Sequence, residues 1–198
     1  MISHIIIFLV MLNPFAMFLY LGPVMEELSN KSFRKVLFKA SAISLGIFLI
    51  FLFSGGFLFE KVFQINFESF RIFGGIIIFS FAYLYIVRGQ AALIHMKEDL
   101  DDLAEEIALP FMVGAGTISL SLLIGKELEM IIGISALVVI LAVNFMIILF
   151  LKMLRDNMPR KKLKIAFDKN MGILLRLNGF FLGAIGVNMV HTGLSNLF

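Results

Sequence analysis

Asn13-Pro14-Phe15 interrupts one long apolar run, and Pro110-Phe111-Met112-Val113-Gly114-Ala115-Gly116-Thr117 interrupts another. Proline removes a backbone donor and glycine loosens a helix, so in hydrocarbon the freed amides and carbonyls must be buried in protein or face a wet cavity. The chemistry such breaks allow is recognition of a small polar solute by backbone groups. Asn13 suits a cap and Pro14 a first helical position, so together they open a second half-helix with free amides at its start. Gly114, Gly116 and Thr117 are expected to form an unwound strip with exposed amides and carbonyls, with Thr117 or Ser119 capping the helix beyond it. Carbonyls at the breaks and the side chains of Asn144 and Asn178 add hydrogen-bond acceptors. The expected spans carry no carboxylate at their middle. Phe15, Phe111 and Met112 beside the breaks would fill the room of a larger side chain.

Plainer roles compete for the same residues. Pro14 and Pro110 taken singly could be kinks satisfied by neighbouring helices. Gly74, Gly75, Gly179 and Gly183 favour close helix packing over solute contact, Asn144 and Asn188 could be interhelical hydrogen-bond partners, and Arg71 and Arg176 suit helix ends at the interfaces.

The elements that must position these residues are membrane helices. Of the 198 residues 60% are apolar and 16% charged, with a mean hydropathy of +0.99. At roughly 20 apolar residues per crossing, the chain has room for six spans and no separate soluble domain: Ile2 to Leu21, Val36 to Phe59, Phe70 to Val87, Ile107 to Ile124, Met130 to Leu151 and Gly172 to Leu194. The first has no basic leader or small-x-small site and is expected to be retained. With no cysteine, disulfides, thiol redox chemistry and thiolate metal sites are excluded. No cofactor or metal is expected.

Lys31, Arg34, Lys35 and Lys39 come after the first span, and Lys152, Arg155, Arg160, Lys161, Lys162, Lys164 and Lys169 precede the last. The positive-inside rule makes these loops cytoplasmic and puts both termini outside. The net charge of +3 is explained by that orientation, not by nucleic-acid binding. Residues 96–106 alternate Glu98, Asp99, Asp101, Asp102, Glu105 and Glu106 with apolar Met96, Leu100, Leu103 and Ala104, which predicts a short amphipathic connector and not a calcium loop, for which the required glycine is missing.

The chain also repeats itself. Pro14-Phe15 matches Pro110-Phe111, and Arg71-Ile72-Phe73-Gly74-Gly75 matches Arg176-Leu177-Asn178-Gly179-Phe180. Residues 1–95 and 107–198 then form two three-helix repeats joined by the connector at 96–106. An odd number of crossings per unit inverts the second copy, and the fold expected is an all-α membrane protein of six helices in which the first and fourth are discontinuous. Inverted repeats with paired broken helices are an arrangement of secondary transporters, with substrate held between the breaks.

Asn13-Pro14-Phe15, Phe70 to Gly75, Ala108 to Ile118, and Arg176-Leu177-Asn178-Gly179 with Gly183 resemble the MarC family, in order along the whole chain. Its fourth-span motif usually reads glycine-proline-glycine where this chain has Gly114-Ala115-Gly116. Members similar to an archaeal small neutral amino-acid transporter, SnatA, imply transport of glycine and alanine across the cytoplasmic membrane, coupled to protons; sodium held by carbonyls at the breaks is the other coupling ion considered. A passive channel or exporter for small solutes is an alternative, and so, more remotely, is a rhomboid-like protease with Ser119 or Ser121 as nucleophile and His191 as base. Ser119 lacks the glycine that comes after the rhomboid serine, and no enzyme activity is expected.

Overall fold

The computed structural model describes residues 2–54, 57, 61–62, 64–88, 103–105 and 107–197, and among these it is helical without a strand. The helices are α1 (Ile2–Leu12), α2 (Pro14–Tyr20), α3 (Gly22–Glu27), α4 (Asn30–Ser54), α5 (Phe67–Arg88), α6 (Ala115–Glu127), α7 (Met130–Asp156) and α8 (Lys161–Leu197), with a π turn at Ile107–Met112 before α6. Five described segments are long and apolar enough to cross a membrane: Ser3–Tyr20, Asn30–Ser54, Phe67–Arg88, Met130–Asp156 and Lys161–Leu197. The expected span from Ile107 to Ile124 is not a single helix. It is divided between the π turn and α6, whose 13 residues reach only about 20 Å at 1.5 Å per residue, short of the roughly 30 Å of hydrocarbon.

The last helix starts earlier than hydropathy indicated, because its first turns carry Lys161, Lys162, Lys164, Asp168 and Lys169 and so continue as helix without being apolar. Of the acidic connector, only residues 103–105 are described: Leu103 and Ala104 are buried and Glu105 is exposed, and the other carboxylates at 98–102 and 106 lie outside the described residues.

Phe8 and Leu12 of α1, Phe18 of α2, Leu37 and Phe48 of α4, and Leu137, Ile140 and Ile148 of α7 form the core. Phe8 and Phe48 meet edge to face with centroids 5.1 Å apart, a favoured geometry for rings whose positive edge meets a negative face. Large apolar side chains also cover the outside, among them Phe38, Ile131, Phe180 and Phe181, as a lipid-facing surface requires.

α5 and α8 pack antiparallel at very short range. A methyl group added at Gly193 would lie 3.1 Å from the Glu68 carbonyl oxygen, one at Gly186 2.7 Å from that of Gly75, and one at Gly179 3.2 Å from that of Ala82. The approaches step seven residues along each helix in opposite directions. Only small residues allow backbones so close. Gly183, by contrast, meets only the Ala82 methyl at an ordinary 3.6 Å.

Ion pairs tie the two ends. Arg155 of α7 grips Asp168 of α8 through Nε at 3.0 Å and Nη2 at 3.1 Å, and donates to Glu26 of α3 at 2.8 Å. At the other end His4 of α1 meets Glu127 of α6 at 2.8 Å. Arg71 pairs within its own helix with Glu68 at 2.9 Å, beside the Phe67 ring.

Candidate functional site

At the first break Asn13 takes the left-handed conformation, φ 48° and ψ 70°, which asparagine tolerates better than most residues because its short side chain bonds locally. Its Oδ1 accepts from the Ala16 amide at 3.1 Å, while its own amide still closes α1 on the Leu9 carbonyl at 3.1 Å. Pro14 sits at the first position of α2 and has no donor to lose. The break thus leaves the Phe15 amide and the last carbonyls of α1 without intrahelical partners. One of those carbonyls, on Val10, accepts from Asn178 Nδ2 of α8 at 3.2 Å.

The second break is built differently. Leu109 is non-helical at φ −121° and ψ 118°, and the Val113 amide reaches back five residues to the Ala108 carbonyl at 2.8 Å. Gly114 is extended, and α6 begins at Ala115. Thr117 Oγ1 accepts the Gly114 amide at 2.9 Å, and its hydroxyl proton is shared between the Met112 and Gly114 carbonyls, both 3.0 Å away. Ser44 of α4 donates to the Met112 sulfur at 3.3 Å.

Two expectations change here. The unwound strip is shorter than Gly114 to Thr117, since Gly116 and Thr117 already belong to the first turn of α6. Pro110 is also not the positional partner of Pro14: it lies inside the π turn, ahead of the helix start that Pro14 itself marks in the first half. The physical reason is that Gly114, closed by Thr117, makes the second helix start, whereas Asn13 and Pro14 make the first. The side chains of Pro110 and Phe111 lie outside the described residues.

The breaks adjoin. A methyl group at Gly116 would come within 2.1 Å of Met11 Cε in α1 and 2.2 Å of Ile78 Cδ1 in α5, so the first turn of α6 rests on the last turn of α1. Asn144, fully buried midway along α7, approaches α2 with Nδ2 3.8 Å from the Met17 sulfur. Pro14 is buried and Phe15 partly so. Three buried polar atoms in this region lack a protein partner: Asn13 Nδ2, Ser119 Oγ and Asn144 Oδ1. Buried polar groups are nearly always paired, and each exception calls for an explanation such as a ligand or water. Asn13 Nδ2 is a donor, Asn144 Oδ1 an acceptor, and the Ser119 hydroxyl can serve as either.

Ser121 donates to the Thr117 carbonyl at 2.8 Å, and His191 is exposed on the outer face of α8 beside Phe79 and Asn188, so neither serine is joined to that histidine by a hydrogen bond. Sequence inspection missed Met11, Met17, Ser44 and the Val10 carbonyl. Their part in the site comes from contacts between segments far apart in the chain, for which local pattern carries no signal.

The profile of MarC family integral membrane proteins matches residues 1–198. The chain belongs to the MarC family. A UPF0056 membrane protein of Pyrococcus horikoshii is 21% identical over 97% of this chain and 92% of its own length. The UPF0056 membrane protein YvbG of Bacillus subtilis is 29% identical over 81% of this chain and 77% of its own length, and a UPF0056 membrane protein of Methanocaldococcus jannaschii is 29% identical over 92% and 90%. These names state a membrane protein and no cargo. No solved structure matches the chain.

Proposed function

We propose that this MarC-family protein is a secondary active transporter of small neutral amino acids, glycine and alanine, in the cytoplasmic membrane, working by alternating access with both termini outside. The observation that carries this reading is the seating of Gly116 on Met11, which brings two helix breaks together beside buried polar atoms that have no protein partner. A carboxylate suits the amino ends of α2 and α6, where amides are free and the helix dipole is positive. An ammonium group suits Asn144 Oδ1 and the last carbonyls of α1. The partly buried Phe15 ring limits side-chain volume, and the resemblance to SnatA points to the same class of cargo.

The close packing of α5 and α8 supports the inverted repeat. A shift of 104 residues carries Gly75 onto Gly179 and Ala82 onto Gly186, so the contact of Gly75 with Gly186 and that of Ala82 with Gly179 exchange under one two-fold axis. The match of Arg71 to Arg176 by letters alone differs from this register by one residue. An axis in the membrane plane is what inward- and outward-open states of equal construction need. Coupling is assigned to protons, with sodium as the other candidate.

Uptake of labelled glycine and alanine into proteoliposomes, under an imposed pH gradient, a sodium gradient or neither, tests the reading. Uptake above that of protein-free vesicles is expected with the pH gradient, inhibited by unlabelled alanine and not by leucine. Absence of uptake under all conditions contradicts it.

A further inference from the structure

We infer that the inner-membrane edge of this protein holds the phosphate of an anionic lipid headgroup in a cavity between the start of α4 and the end of α7. The site requires the inside orientation of the basic loops but does not depend on what the protein transports. The cavity, about 100 Å³, is lined by Asn30, Phe33 and Arg34 of α4, by Lys152 and Asp156 of α7, and by Asn157 just beyond it. Lys152 is only 6% exposed. Its ammonium donates to Asp156 and lies 5.6 Å from the centre of the Phe33 ring. An ammonium carries three N–H groups, and Asp156 takes one of them. Burying a charge with so few partners is costly unless another group completes its shell.

The balance of charge favours an anion. Arg34 and Lys152 outweigh Asp156, and the amino end of the 25-residue α4, capped by Ser29 Oγ on the Ser32 amide at 3.2 Å, adds its positive dipole. Asn30 and Asn157 supply amide donors. What distinguishes a lipid from free phosphate is the surface below. Phe38 of α4, 67% exposed, meets Phe145 of α7 edge to face at 6.5 Å. Phe38 lies eight residues into α4 from Asn30, about 12 Å deeper at 1.5 Å per residue, at the level of acyl chains. Basic pockets between helices on the cytoplasmic side are suited to such headgroups.

The test is the melting temperature of the purified full chain in neutral detergent with added phosphatidylglycerol, phosphatidylcholine or inorganic phosphate. Phosphatidylglycerol alone is expected to raise it. Arg34→Gln should weaken the apparent affinity roughly fivefold and Lys152→Met should abolish the shift, while Lys161→Gln with Lys162→Gln, outside the cavity, should retain it. If Lys152→Met does not fold, Arg34→Gln on its exposed side chain decides. An equal shift with inorganic phosphate would make free phosphate the occupant and overturn the lipid assignment. A full shift in Arg34→Gln, or equal loss in the Lys161/Lys162 variant, would overturn the site.

Discussion

Gly186→Leu is expected to yield no stable folded protein. A Cβ there would stand 2.7 Å from the Gly75 carbonyl oxygen and 2.9 Å from the Phe79 nitrogen. Both atoms are backbone of α5, so no rotamer change relieves the clash, and the two helices must separate along the whole seam. Overpacking of a tight core ordinarily costs about 1–3 kcal/mol, and a clash with backbone falls at or beyond the upper end of that range. Monodisperse yield after detergent extraction, and then a thermal melt, measures it. Two controls confine the effect to the seam: Gly183→Ala, which meets only the Ala82 methyl, and Gly46→Ala, where nothing lies within 4 Å. Both should melt at or above the parent, since alanine is favoured over glycine inside a helix by about 1 kcal/mol.

Asn144→Leu should have the opposite profile, leaving the fold intact and transport lost. The side chain is fully buried, its Nδ2 lies 3.8 Å from the Met17 sulfur, and its Oδ1 has no protein partner among the described residues. Replacing an unsatisfied buried amide by an apolar group of similar volume is close to neutral for stability, or better. A hydrogen bond to a charged group contributes about 1.5–3 kcal/mol, so losing the acceptor for the ammonium should lower uptake roughly ten- to hundredfold. An unchanged melt with such a loss identifies a binding group. An unchanged melt with unchanged uptake assigns Asn144 to packing.

The parts of the fold that were legible in the letters are those decided within a few residues. Asn13 and Pro14 are a cap and a first helical position, and that chemistry acts over the next turn alone, so the structure has them in those roles. Apolar runs place α5 and the start of α7 closely, whereas α4 begins at Asn30, ahead of the expected Val36, because its first turns carry Lys31, Arg34 and Lys35. What lay hidden depends on partners far away in sequence. Pro110 reads like Pro14, yet it lies inside the π turn, and the start of α6 is fixed further on by Gly114 and Thr117, through a hydroxyl bonded on both sides of the break. Arg155 reads as one more inward-orienting charge, but it joins α3, α7 and α8 through Glu26 and Asp168. Gly186 attracted no notice because spacing on one helix does not reveal which helix lies against it. Gly116 was legible as special, but its neighbours were not: its missing side chain makes room for Met11 and Ile78.

The central claim is that the two breaks form one site opened alternately to either side, and counterflow tests it most directly. Vesicles containing the protein are preloaded with unlabelled alanine and diluted, without any ion gradient, into a trace of labelled alanine. Alternating access predicts that the label transiently accumulates inside above its external concentration, because outward-moving alanine returns the carrier for labelled substrate. Entry of label only to equal concentration, or no entry at all, would contradict the account.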